Sequence, residues 1–211
     1  MNMAAPRLDH LVYATPDLDE TVNELAHRLG VRASAGGQHP GRGTRNALLA
    51  LGPSAYFEIV GPDPSQPPLP TPRWFGIDRL SEPKLVAWAA ATTNLDRVAS
   101  AAAAQGVPLG RVISGGRTRP DGLRLTWHVT DPTTIIGDGI VPFLIDWGSS
   151  PHPAATSARG VELVHLRAEH PDAREVRRML DVLGVELEVE PGPVARMMAT
   201  IRAGKTEIQL Y

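Results

Sequence analysis

At 211 residues with a formal net charge of −2, the chain can bury a substantial core, as one large domain or two small ones, without disulfide or metal staples. It has no cysteine, which excludes thiolate nucleophiles, zinc fingers and disulfides. Lys84 and Lys205 are the only lysines and the arginines are scattered among comparable numbers of acids, so no nucleic-acid partner is expected. The longest apolar run, Leu85 to Ala91, falls far short of the ~20 residues that cross a bilayer, and Met1 to His10 lacks a charged start followed by an apolar core. No membrane partner is expected, and a cytoplasmic location is the default.

In chain order, the first segment is strand-like from Leu8 to Asp17, with a helix after it that ends at Leu29-Gly30-Val31. Strand candidates follow at Val31 to Ala35, Asn46 to Leu51 and Ala55 to Val60. Gly61 to Arg73, with prolines at 62, 64, 67, 68, 70 and 72, reads as a linker. Next, Leu85 to Ala103 echoes Leu8 to Ala26 through Leu8/Leu85, Ala14/Ala91, Thr15/Thr92, Leu18/Leu95, Asp19/Asp96 and Ala26/Ala103. Its strands are expected at Arg111 to Ser114, Leu123 to Val129 and Val141 to Trp147, and the Ala99 to Ala104 run is expected to be a close-packed helix face. Ser149 to Gly160 reads as a second linker.

A stronger echo then returns, matching Leu8/Leu163, His10/His165, Leu11/Leu166, Pro16/Pro171, Asp17/Asp172, Glu20/Glu175 and Leu25/Leu180, with strands to follow at Val185 to Glu190, Ala195 to Arg202 and Thr206 to Leu210. Each unit therefore reads βαβββ. Asp17, Asn94 and Asp172 are suited to cap the helix starts, with Glu20 and Glu175 three residues on as in a capping box. Gly30, Gly106 and Gly184 can take the left-handed geometry that ends a helix. The expected fold class is α+β, with paired units (8–61 and 84–148) in a domain of residues 1–148 and a third unit over 160–211.

Candidate polar groups cluster in a few places. His10 lies on an otherwise apolar strand, on the face shared with Leu8 and Val12. The glycine-rich stretch from Gly36 to Asn46 carries His39, Thr44 and Asn46, which can present polar groups to a small-molecule ligand. It is not a nucleotide-type phosphate loop, because no strand-to-helix transition surrounds it. Trp127 is expected in the core, and Trp88 and Trp147 either in the core or on a pocket wall. Ser81-Glu82-Pro83-Lys84 fits a Ser-x-x-Lys nucleophile pattern only superficially, since Pro83 opposes the helical turn that pattern needs.

A βαβββ unit that opens Leu8-Asp9-His10-Leu11-Val12 and closes Tyr56-Phe57-Glu58-Ile59-Val60 resembles the vicinal oxygen chelate superfamily. The stretches Gly36 to Asn46, Arg119 to Gly122, Pro142 to Gly148 and Pro151-His152-Pro153 resemble its glyoxalase-like branch more narrowly. The resemblance implies repeated βαβββ units forming a half-open mixed β-barrel with helices outside. It also implies a divalent metal (Zn, Ni, Mn or Fe) held at His10 and Glu58, where it would polarise adjacent substrate oxygens, with Glu58 as proton acceptor in catalysis.

The middle unit departs from that pattern. Ala87 matches His10, and Leu144 or Ile145 matches Glu58, with Asp146 one or two positions away as a further substrate-binding candidate whose facing depends on register. The third unit keeps His165 and offers Glu207 or Gln209, so which two units share a barrel stays open; His165 is expected to be inherited sequence on a surface strand. Two functions follow. One is a metal-dependent lyase, isomerase or dioxygenase acting on a small molecule with vicinal oxygens, and the other is a metal-free binding or sequestering protein. Edge strands of the third unit could also pair between subunits, giving a homodimer.

Overall fold

The structure, a computed structural model, describes residues 5–119 and 121–211; Pro120 of the Arg119 to Gly122 stretch lies outside the described residues. Strand β1 (Arg7–Ala14) sends Leu11 and Tyr13 outward beneath helix α1 (Leu18–Leu29), while His10, Val12 and Ala14 face the opposite way. The Asp17 side chain accepts from the Glu20 N–H at 3.0 Å, and Gly30 ends the helix at φ 70° with its N–H on Ala26 O. Three strands follow: β2 (Ser34–His39), β3 (Thr44–Ala50) and β4 (Tyr56–Pro62).

The second unit repeats this order with β5 (Lys84–Ala91), α2 (Leu95–Ala104), β6 (Val112–Thr118), β7 (Arg124–Thr130) and β8 (Phe143–Asp146). Its cap differs, because Asn94 makes no side-chain bond to the helix and lies instead 3.4 Å from the Thr93 hydroxyl. Both β2 and β6 run beyond their expected ends, through Gly36-Gly37 and Gly115-Gly116. A Cβ at Gly36 would stand 2.1 Å from Asn46 Oδ1, and one at Gly115 2.3 Å from Trp127 Nε1. These glycines mark close approach within a strand, not its end.

The two units close one mixed barrel in the order β1-β4-β3-β2-β6-β7-β8-β5. One seam, β1 against β5, is long and antiparallel, whereas β2 meets β6 through the single pair Gln38 and Thr118. The proline-rich connection is not inert. Its 3-10 segment Trp74–Arg79 carries Ile77 and Phe75 against Val12, Ala14 and Val60 at one end of the barrel, with Phe75 in the left-handed region at φ 61°. The other connection packs Ala154 against Leu48, Ala50 and Tyr56, and Ala158 bridges to Leu49.

The third segment follows the order βαβββ but pairs differently. Its strands β9 (Glu162–His170), β10 (Glu188–Pro191), β11 (Arg196–Ala203) and β12 (Thr206–Leu210) form a separate sheet ordered β10-β9-β11-β12, with α3 (Ala173–Leu183) between β9 and β10. In the barrel units the first strand pairs in parallel with the last; here β9 pairs in parallel with β10, directly across the α3 crossover. This sheet packs on the outside of the barrel, sharing one apolar core with α1 and α2, and the Leu85 N–H donates to Tyr211 O. His165 is half exposed and sits 2.9 Å from Glu188, while Glu207 pairs with Arg202, so neither enters the barrel. Among the described residues no helix is long and apolar enough to cross a membrane.

Candidate functional site

Inside the barrel is a cavity of about 460 Å³, large enough for a small organic molecule. Its walls include the rings of Tyr56, Trp74, Phe75, Trp127, Phe143 and Trp147, and its polar groups include His10, His39, Thr44, Asn46, Glu58 and Arg117. Of the residues expected at the site, His10, Glu58, His39, Thr44 and Asn46 are brought together here. Asp146 is not. The inward positions of β8 are Phe143 and Ile145, so Asp146 follows Leu144 to the other face, where it accepts from the Gly148 N–H at 2.8 Å. Trp127, expected in the core, is only partly buried and stands in the cavity wall against Trp147, with ring centroids 5.2 Å apart.

His10 is held from behind by a residue that strand alternation hides. The β1/β5 register slips between Leu8 and His10, and this bulge lets Asp9 share the side of its neighbour. Asp9 is fully buried and accepts three N–H bonds: His10 Nδ1 at 2.6 Å, Trp147 Nε1 at 2.9 Å and His152 Nε2 at 3.1 Å. His152 can serve as a donor there because its Nδ1 accepts from the Ala154 N–H at 3.2 Å, which fixes the tautomer. Burial alone would raise the Asp9 carboxyl, but the bonds and charges of His10 and His152 outweigh it and hold the group at about 2. With its Nδ1 proton on Asp9 and its ring stacked on Tyr56 at 4.6 Å, His10 presents Nε2 to the cavity, 3.9 Å from Glu58 Oε2.

Glu58, 7% exposed, is positioned from the opposite side. Asn46 Nδ2 donates to its Oε1 at 2.5 Å, and His39 Nε2 lies 4.0 Å from the same oxygen. Burial pushes the His39 imidazole below its usual range despite the raising effect of Glu58, so the ring is neutral at pH 7. Its Nδ1 lies 2.9 Å from the Thr44 hydroxyl and its Nε2 3.4 Å from Asn46 Nδ2. A tautomer with Nδ1 as donor and Nε2 as acceptor satisfies both contacts. These residues lie on paired strands of the β2/β3 hairpin, with His39 opposite Thr44 and Gly37 opposite Asn46; they are not on a loop. Burial, then the charges of Asp9 and Glu58, keep the Tyr56 hydroxyl well above its usual value and therefore protonated.

Gly36 matters to this arrangement because Asn46 Oδ1 fills the space its missing side chain leaves. Gly36→Ala is expected to push the Asn46 amide off Glu58 and to lower stability by about 1–3 kcal/mol, measurable as a fall in urea midpoint. An unchanged midpoint would show that Asn46 is free to move.

The symmetry of the two units locates what the second lacks. Val12 stands opposite Glu58 as Ala89 stands opposite Phe143, and Thr15 N donates to Val60 O as Thr92 N donates to Ile145 O, both at 2.9 Å. The counterpart of Glu58 is therefore Phe143, not Leu144 or Ile145, and its ring leans edge-on to His10 with centroids 5.6 Å apart. Ala87 stands in for His10. Among the described residues no group of three or more His, Asp or Glu is gathered closely enough to hold a metal ion.

Comparison with known proteins agrees with this geometry at the level of fold and family. A hypothetical protein from Staphylococcus aureus superposes with a TM-score of 0.68 at 11% identity, over 98% of this chain and 99% of that one, so the barrel and the added sheet recur together. A methylmalonyl-CoA epimerase from Mycobacterium tuberculosis gives a TM-score of 0.46 at 21% identity, over 74% of this chain and 97% of that one. A methylmalonyl-CoA epimerase in complex with methylmalonyl-CoA and NH4+ gives 0.44 at 21% identity, over 70% and 100%. No curated protein sequence matches the chain. The glyoxalase-like domain pattern matches residues 8–184, most of both barrel units and the start of the third segment, and the chain accordingly belongs to the glyoxalase-like domain family of the vicinal oxygen chelate superfamily.

Proposed function

We propose that the barrel is the active site of a proton-transfer enzyme, an isomerase or lyase, that works on a small molecule with adjacent oxygens. The observation that carries this reading is the Glu58 carboxylate, tethered by Asn46 and facing His10 Nε2 at 3.9 Å across the floor of a largely aromatic cavity. Glu58 takes a proton from the carbon next to a carbonyl, and that C–H electron pair moves onto the carbonyl oxygen as an enolate. The acid in this step is the His10 imidazolium, which keeps its Nδ1–H on the Asp9 carboxylate and gives its second proton, on Nε2, to that oxygen, leaving a neutral ring. Return of a proton to either carbon completes an isomerisation.

Of the activities the family resemblance implies, isomerase and lyase chemistry need only this acid and base. The donor set does not fit a four-ligand metal centre. His10 and Glu58 are suitable donors, but Ala87 and Phe143 occupy the other two positions and the Phe143 ring fills the space beside His10. No step is therefore assigned to a metal. The apolar pair Ala87 and Phe143 also favours a second reading, a protein that binds a small molecule without transforming it.

Wash-in of deuterium separates the two. In D2O, the protein is expected to label hydroxyacetone, 2-oxobutanoate or mandelate at the carbon next to the carbonyl or carboxylate group, read by mass spectrometry against a protein-free control. Binding of these compounds with no label above control would favour the binding protein.

A further inference from the structure

Arg117 of β6 is 4% exposed, the one buried arginine among the described residues, and it lines the same cavity as His10 and Glu58. Several arginines nearer the surface are paired: Arg45 with Asp19, Arg73 with Asp78 and Arg119 with Asp121. Arg117 is not. Among the described residues its hydrogen bond goes to the backbone carbonyl of Gly36, and it forms no ion pair. A carbonyl accepts from one edge of the planar guanidinium and leaves the fork of N–H donors without a matching anion. Burying a cation in that state is costly, and a carboxylate, which accepts two parallel N–H bonds, relieves it.

The surroundings suit such a ligand. Gly115 and Gly116 precede Arg117 on β6, and Gly36 and Gly37 face it from β2, so backbone without side chains flanks the guanidinium. Arg42 stands in the lining 4.1 Å above the Trp74 ring, and Arg124 is also there, so the cavity carries an excess of cations over Glu58, the one lining carboxylate among the described residues. Burial lowers the guanidinium from the usual arginine value while Tyr56 and Glu58 act to raise it, which places it within electrostatic reach of the acid–base groups.

We infer that Arg117 is the anchor for a substrate carboxylate, so that the molecule taken into the barrel is a small carboxylic acid with an apolar, ring-sized body against Trp127, Trp147 and Phe143. This rests on the proton-transfer reading for its location, since the anchored acid would present its neighbouring carbon to Glu58. It does not depend on the reaction taking place.

The test compares mandelate with mandelamide, which share a phenyl ring and a hydroxyl but differ in charge, by titration followed through the fluorescence of the wall tryptophans. Wild-type protein is expected to bind mandelate about tenfold or more tightly than mandelamide. Arg117→Gln is expected to erase that preference by weakening mandelate alone, and Arg117→Lys to keep part of it. Equal binding of the two probes, binding of neither, or a preference that survives in Arg117→Gln would overturn the inference. The wild-type comparison stands by itself should both variants fail to fold. A preference for mandelate in wild-type protein that gives no deuterium wash-in would sink the proposed reaction and leave the carboxylate anchor in place.

Discussion

Replacing Glu58 with glutamine is expected to slow carbon–proton exchange by about 10²–10⁴-fold, the usual contribution of a positioned general base, while leaving ligand affinity within a few-fold of wild type. The glutamine keeps the shape and can still accept from Asn46 through its carbonyl oxygen, so the cavity and its walls are preserved. What it loses is the ability to take a proton. Removing a buried carboxylate that faces His10 and His39 without a full ion pair is expected to leave stability unchanged or raise it slightly. A rate loss accompanied by a large fall in thermal midpoint would show that Glu58 holds the barrel together and that the rate effect is indirect.

Asp9→Ala is expected to have the largest effect on stability, on the order of 3–5 kcal/mol, because it strands three donors at once: the buried His10 Nδ1 and the half-buried Trp147 Nε1 and His152 Nε2. For a chain of this length that corresponds to roughly 10 °C in thermal midpoint. The same carboxylate gives a pH dependence whose sign is fixed. Its folded value of about 2 lies below the ordinary 3.8, so its contribution is complete above the ordinary value and is lost as pH falls through the folded one. The difference amounts to about 2 kcal/mol, fading between roughly pH 5 and pH 1. Urea titrations at pH 7 and pH 3 should show a loss about 1 kcal/mol larger in wild type than in Asp9→Ala, since Asp63, Asp131 and other carboxylates held low in the fold lose stability in both. Equal losses in both would place the acid sensitivity elsewhere.

The repeat of strand and helix was readable because apolar alternation, Asp17 and Asp172 as caps, and Gly30 and Gly184 as stops all act locally. What alternation cannot register is a bulge. One slip between Leu8 and His10 turns Asp9 toward the site, and no periodic pattern in Leu-Asp-His-Leu announces it; the adjacency of Asp9 and His10, with a histidine far downstream in Pro151-His152-Pro153, was the available signal. Register likewise decided Asp146 and Phe143, which sit three residues apart on one short strand and so fall on opposite faces.

Glycine misled in a different way. Gly36 and Gly115 read as strand ends by propensity, yet each lies inside a strand where a partner side chain needs the space. Arg117 could not be picked out from Arg42, Arg45 or Arg119 because burial is a property of the closed barrel. The third segment repeats the elements of the first two in sequence, but its strands pair in a different order, since the α3 crossover sets β10 beside β9.

The most direct test of proton transfer by these side chains is the deuterium wash-in rate before and after dialysis against a chelator, and again after adding Zn, Ni, Mn or Fe(II). Rates that stay the same through all three stages are the predicted result. Loss of exchange on chelation, with recovery on return of one metal, would contradict it and restore His10 and Glu58 to the role of metal ligands.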